Sequence, residues 1–585
     1  MKLELIKGSR SRILASAVLV ISAVFVVRLF YLQIVKHDYY TELAQSEQVK
    51  RERIPATRGE IYALNGTTPV KMVLNETVYT AFVDPAVIIQ SDEADAVAKT
   101  MNEIAGGNVV DDFKSKLTVE DSRYQIIAKR LTRTQADKIK AKGYKGIGFQ
   151  AVSQRVYPEG TLASQVLGFV NADGVGNYGI EGYLNSELSG TDGRLETVTD
   201  ISDVPLTIGN DNVRVAAQNG KNVVLTIDRN IQSKVEEALA NGLKRSNATD
   251  ASAVVLDPKT GKVLAMANLP TYDPSKYYEV TDASLFNNAT ISSPYEPGSD
   301  VKTYTMATAI DKGVASASDT YYNSDYITVD DRTISNATKG HTGTISFQTA
   351  LTWSLNTGFV TLAQRLGNGT QITRAARDTM YEYFHDRLGL GQLTGIELSN
   401  EQAGTIISPE NVDGNAVRYS NMAFGQGLDA TMIQVASGFS AIINGGNYYK
   451  PTVVSGYVDD DGNYTENKTT DPERAGVVKA TTSEQIKEMT HTARSAFKRI
   501  DTSGYYVGGK TGTSQVVVNG EYSNTETIAT YLGYGGGSID DPEYVIMVSI
   551  HGDNRVLGGS TDAMPIFTEI SNWMLNYLKI QPEAE

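Results

Sequence analysis

Glu296-Pro297-Gly298-Ser299-Asp300-Val301-Lys302 is the stretch on which the reading of this chain turns. Pro-Gly signals a turn, the following residues run helical to Lys312, and Gly313 suits the helix end. Ser299 therefore opens a helix, and Lys302 lies one turn later on the same face. Burial at the positive end of that helix would lower the Lys302 pKa and fit it to act as a base beside a serine nucleophile. Alone, such a tetrapeptide is most often a serine N-cap followed by a solvated lysine. A second copy, Ser495 to Lys498, lies inside an expected helix over 483–499 with no Pro-Gly turn before it.

Two further strings follow in order. Ser354-Leu355-Asn356 sits between apolar helical stretches at about 346–353 and 357–366, where a polar break can project Ser354 as a proton relay and Asn356 as a partner for a substrate amide. Lys510-Thr511-Gly512-Thr513 begins a strand expected to run to Val518. Gly512 allows close backbone approach, while Lys510, Thr511 and Thr513 can hold a carboxylate. Ser-x-Asn is unique, but Lys-Thr-Gly recurs at Lys259–Gly261, in a turn between two expected strands. Gly504 to Thr511 also matches a P-loop literally, yet a helix precedes it and a strand follows, the reverse of what phosphate binding needs. The ordered set points to acyl transfer through a covalent serine intermediate.

Further out, strands are expected at 223–227, 253–256, 263–267, 513–518, 526–533 and 543–550, with a helix at 229–243 and a last amphipathic helix at 562–579. Strands at both ends with helices between imply an α+β fold, a central antiparallel sheet packed by helices, over residues 221–585. Residues 36–220 read as an elongated mixed stalk: a polar helix over 38–53, a hairpin turn at Asn65-Gly66, helices near 91–105 and 134–142, and no catalytic constellation. Residues 13–35 form an apolar run ~34 Å long as a helix, enough to cross a ~30 Å hydrocarbon core. Lys2, Lys7, Arg10 and Arg12 before it place the tail, 1–12, in the cytoplasm and 36–585 outside, with no cleavage site after Val27. The net charge of −15 disfavours a nucleic-acid role. The absence of cysteine excludes disulfides and thiolate chemistry. Five histidines without metal-ligand spacing argue against a zinc hydrolase. No cofactor or metal is called for.

Arg58-Gly59-Glu60-Ile61-Tyr62, Tyr178-Gly179-Ile180-Glu181-Gly182, Thr226-Ile227-Asp228 and Phe424-Gly425-Gln426-Gly427, with Thr431 and Gln434, complete a collinear set with the three strings. In this the chain resembles the class B penicillin-binding proteins, membrane-anchored D,D-transpeptidases that cross-link peptidoglycan. The resemblance implies that Ser299 attacks the penultimate D-Ala carbonyl of a stem peptide, Lys302 takes its proton, and Ser354, with Lys510 near, relays a proton to the departing D-Ala. It implies that Asn356 holds the substrate backbone, that Thr511 and Thr513 bind the terminal carboxylate beside Gly512, and that the Ser299 and Thr513 N–H groups form the oxyanion hole. β-Lactams would trap Ser299. Ser-x-Asn and Thr394-Gly395-Ile396-Glu397 look more like the division-specific members, which partner SEDS-type glycosyltransferases and division proteins. A β-lactam-hydrolysing or β-lactam-sensing relative and a non-catalytic division scaffold are the alternatives. Asp300 departs from the family pattern, where an uncharged residue follows the nucleophile. One residue on from Ser299, it is expected to point away from the site and to accept from first-turn N–H groups.

Overall fold

The computed structural model describes residues 9–40, 49–198, 213–468, 471–497, 501–518 and 520–582. Lys2, Lys7, Lys498, Asn519 and most of the expected tail lie outside them. The chain divides into two compact units.

The first unit takes in residues up to Thr57 and 190–220. Its helix Ser9–Phe30 continues through a π-helical turn, Tyr31–Val35. The span Arg12–Val35 is long and apolar enough to cross a membrane. A small antiparallel sheet joins Val49–Ile54, Gly193–Val198 and Val213–Val215. The polar helix expected over 38–53 is thus corrected at its C-terminal end, while residues 41–48 lie outside the described part. A charged segment has no apolar stripe to bury as a helix, so pairing with a distant strand decides its conformation.

The second unit, 58–189 with 221–585, is built on two larger sheets. The first has seven strands: Tyr464–Glu466, Val454–Val458, Asn222–Asp228, Ile61–Asn65, Thr68–Val83 and Gln125–Leu131 in that order, with Ile147–Val156 also paired to Thr68–Val83. Asn222–Asp228 lies parallel to Ile61–Asn65 and antiparallel to Val454–Val458. Asp228 then caps the helix Arg229–Ser246, its carboxylate accepting from the N–H groups of Asn230 and Ile231 at 2.9 and 3.0 Å. Beside this sheet Glu181 is fully buried between two arginines. Arg58 Nε donates to its Oε2 and Arg155 Nε to its Oε1, each at 2.8 Å.

The second large sheet is the expected antiparallel one without its expected first strand, 223–227, which joins the other sheet; its order is Val263–Leu269, Asp250–Leu256, Pro542–His551, Glu521–Gly536 and Tyr506–Val518. Its alternation feeds two cores. Ala251, Ala253 and Val255, with Ile546 and Val548, pack under Leu239, Phe567 and Ile570 of the helices Arg229–Ser246 and Met564–Tyr577. Val254, Leu256, Val545 and Met547 face the opposite core, with Met306, Ile433 and Phe439. The helix Met432–Ile443 is buried along its whole length there. Both faces are covered, so the sheet is a rigid platform whose Tyr506–Val518 edge is left to present side chains.

At the end of Pro542–His551, His551 sits between two carboxylates, Nδ1 2.8 Å from Asp250 and Nε2 2.8 Å from Glu526. Its bond to Asp250 first, then that to Glu526, raise its pKa to about 9 from 6.5. A group raised on folding contributes stability that is complete below its unfolded pKa and is lost as pH rises through the folded one. Melting temperatures of wild type and His551→Gln in detergent should therefore differ most at pH 6 and converge towards pH 9. A constant difference would show that packing, not charge, carries the contribution.

Candidate active site

Pro297-Gly298 makes the expected turn, and neighbouring glycines hold it. Gly298 has φ +58° and donates its N–H to Gly425 O at 3.0 Å. A Cβ on Gly425, itself at φ +89°, would lie 1.8 Å from Gly298 O, so neither position admits a side chain. Gly427 N–H donates to Glu296 Oε1 at 2.7 Å. Phe424-Gly425-Gln426-Gly427 thus clasps the turn that carries Ser299.

Gly298–Val301 is a 3-10 turn, and the α-helix begins at Lys302 and ends at Asp311. Residues three apart eclipse in a 3-10 turn. Lys302 is thereby set over Ser299, its Nζ 3.0 Å from Ser299 Oγ. The same Nζ lies 2.7 Å from Ser354 O, 2.7 Å from Asn356 Oδ1 and 3.0 Å from Ser354 Oγ. Carbonyl oxygens only accept, whereas hydroxyls both donate and accept. A neutral amine can give its two N–H bonds to the carbonyls and turn its single lone pair to one hydroxyl at a time, Ser299 or Ser354. Complete burial lowers the Lys302 pKa well below the usual lysine value, and nearby Lys510 adds to the effect.

Ser354 occupies a Schellman ending. After the helix Phe347–Thr352, Ser354 has φ +57°, its N–H bonds to Leu351 O, and Leu355 N–H bonds to Ala350 O at 2.9 Å. Glycine is the usual residue at that position. Serine here accepts backbone strain and puts a hydroxyl 3.0 Å from both Lys302 Nζ and Lys510 Nζ. Asn356 opens the helix Asn356–Arg365, with Nδ2 donating to Ser335 O at 3.0 Å. Its carbonyl therefore orients Lys302, a contact that its sequence setting does not reveal.

Lys510 projects from Tyr506–Val518, is 2% exposed, and also reaches Thr511 O at 2.7 Å. Burial lowers it to about 8, against the opposing pull of Asp300. Thr513 Oγ1 donates to Gly512 O at 2.8 Å and accepts from Gly559 N at 3.2 Å. Ser299, Ser354, Asn356, Thr511 and Thr513 line one cleft of about 610 Å³, walled by Trp353, Phe497, Gln426 and Gly558-Gly559. Lys302 and Lys510 are not part of its lining; both reach it through Ser354 Oγ. The Gly558-Gly559 pair belongs to no motif in the sequence; a glycine pair after a strand is its only local signal.

Asp300 differs from expectation. It does leave the Ser299–Lys302 side, but it takes no first-turn N–H among the described residues. The tight turn presses it against the sheet, where Thr530 Oγ1 donates to its Oδ2 at 2.6 Å.

The duplicates lie elsewhere. Ser495 is the last residue of Ala480–Ser495 rather than mid-helix, and its Oγ donates to His491 O at 3.0 Å. Lys259 projects from a turn onto Asp541 and Glu543, at 2.5 and 3.1 Å. The P-loop-like string runs into a strand, with no helix after it.

Residues 251–572 match the penicillin binding protein transpeptidase domain, and residues 53–225 match the penicillin-binding protein dimerisation domain. Stage V sporulation protein D of Bacillus subtilis is 30% identical over 95% of this chain and 83% of its own length. The probable peptidoglycan D,D-transpeptidase PenA of Neisseria gonorrhoeae is 26% identical over 99% of this chain and 95% of its own. Penicillin-binding protein 3 of Mycobacterium tuberculosis, solved in complex with aztreonam, superposes with a TM-score of 0.66 at 25% identity, covering 91% of this chain and all of that one. With a matched transpeptidase domain over more than half its length, and a dimerisation domain before it, the chain belongs to the class B penicillin-binding protein family.

Proposed function

We propose that this chain cross-links peptidoglycan stem peptides through an acyl-enzyme on Ser299. The observation that carries the reading is the buried amine of Lys302, 3.0 Å from Ser299 Oγ, with Ser354 Oγ bridging it to Lys510. Ser299 Oγ bonds to the penultimate D-Ala carbonyl carbon as its proton passes to Lys302. The C–N bond to the terminal D-Ala then breaks, and Ser354 Oγ hands a proton to the leaving amine while recovering one from Lys302. An acceptor amine from a second strand attacks the ester, gives its proton back through Lys302, and frees Ser299. Lys510, Thr511 and Thr513 receive the terminal carboxylate, and Asn356 keeps one N–H for the donor backbone. A β-lactam carries the same carbonyl and carboxylate and acylates Ser299 in the donor's place.

The apolar span 12–35 supports a single membrane anchor. The basic residues before it favour a cytoplasmic N-terminus and an external catalytic unit. In this reading the anchor and the residues after it dock a SEDS-type glycosyltransferase, and the cross-links are septal.

Full-length protein in detergent, treated with a fluorescent penicillin and digested, should carry a long-lived adduct on the peptide containing Ser299. Ser495→Ala should label normally. An adduct on another peptide would overturn the assignment, and rapid release would favour β-lactam hydrolysis.

A further inference from the structure

Two lysines flank Ser354 in this site, and the chemistry needs them in opposite states. Lys302 must lack a proton to accept one from Ser299, whereas Lys510 must keep its proton to hold a carboxylate. Both amines are buried and both lie 3.0 Å from the same hydroxyl. Desolvation disfavours charge on either. Something must set which one bears it.

Asp300 lies on the side that breaks this symmetry. Its carboxylate is fully buried, Oδ2 accepts from Thr530 Oγ1 at 2.6 Å, and Oδ1 has no hydrogen-bond partner among the described residues. Thr530 pairs with Gly512 across the sheet, so the carboxylate rests on the Gly512 backbone. A Cβ on Gly512 would come 2.8 Å from Asp300 Oδ2 and 2.1 Å from Thr530 Oγ1. The glycine thus lets an acid from the Ser299 turn sit against the strand that carries Lys510. We propose that Asp300, held by Thr530 over Gly512, is a positioning residue that fixes the site's positive charge on Lys510 and leaves Lys302 as the proton acceptor. This inference rests on the roles given above to Ser299, Lys302 and Lys510.

The groups facing this acid are Lys510 on the sheet, Tyr295 ahead of the turn and Tyr304 on the helix that follows; Lys302 in turn faces Lys510. Lys510 is the one of these that opposes the strong desolvation of the carboxylate, which burial raises to about 7 despite Thr530 and Lys510. A half-satisfied buried carboxylate and a buried ammonium each lower the cost of the other.

The test is the pH profile of penicillin acylation in the full-length protein, measured as a second-order rate constant. The alkaline limb of wild type reports Lys510 losing its proton. Asp300→Asn should move that limb down by about one pH unit, so that its deficit is about tenfold larger at pH 8.5 than at pH 6.5. Thr530→Val, which raises the acid's pKa by removing its hydrogen bond, should move the limb the same way, and Thr530→Ser should restore it. A purely structural role would lower the rate equally at every pH. Profiles of folded Asp300→Asn and wild type that superimpose after scaling would overturn the inference. If Asp300→Asn does not fold, an unmoved limb in Thr530→Val overturns it instead. Labelling retained by Ser299→Ala would overturn the underlying reading, whatever Asp300 does.

Discussion

Lys302→Met should lower the acylation rate by a factor on the order of 10²–10⁴ while leaving the protein folded, the range for removing a positioned general base. Methionine matches the length of the lysine stem and needs no proton, so it fills the buried channel over Ser299 without leaving a void. It removes the lone pair that receives the Ser299 proton and the two N–H bonds that fix Ser354 O and Asn356 Oδ1. Raising the pH should not rescue it, because the defect is a missing acceptor and not a protonated one. Stopped-flow quenching with a penicillin, beside a thermal melt, separates lost chemistry from lost fold. A folded variant acylating within threefold of wild type would remove Lys302 from the mechanism.

Glu181→Gln should destabilise the second unit by about 3–5 kcal/mol, the cost of breaking a buried ion pair by removing one partner. Glu181 accepts from Arg58 and Arg155 together, and these arginines also reach Asn185 Oδ1 and Asn75 Oδ1, each at 2.9 Å. Glutamine keeps the volume but takes away the buried carboxylate that the two guanidinium groups share. Urea unfolding in detergent should show the loss as a lower midpoint, and Ser299 labelling of the surviving folded fraction should be unchanged. A midpoint within error of wild type would mean that the three side chains are worth no more together than apart.

The parts of the site that were legible in the sequence are those written in adjacent residues. A Pro-Gly turn, a serine and a lysine three later give the Ser299 and Lys302 geometry almost locally, and the break between two apolar helices marks Ser354. Contacts closed over long separations were not legible. The Asp300 partner Thr530 lies 230 residues away, and Val49–Ile54 finds its strand partner in Gly193–Val198. The strand bearing Lys510 begins at Tyr506, earlier than its composition suggests, because Gly508-Gly509 reads as an interruption. The tyrosine rings of 534 and 531 lie across those two glycines, where a Cβ would come 2.6 Å from each hydroxyl. What looks like a strand breaker is clearance for a ring.

The seven-stranded sheet also sets an order of events in time. Ile61–Asn65 and Thr68–Val83 can form a hairpin as soon as they are made. The opposite edge of Ile61–Asn65 waits for Asn222–Asp228, and that strand waits in turn for Val454–Val458. An unpaired edge is therefore exposed until a segment nearly four-fifths of the way along the chain becomes available to pair. Such edges recruit foreign strands. A chaperone that covers extended segments should therefore raise the folded yield of this protein.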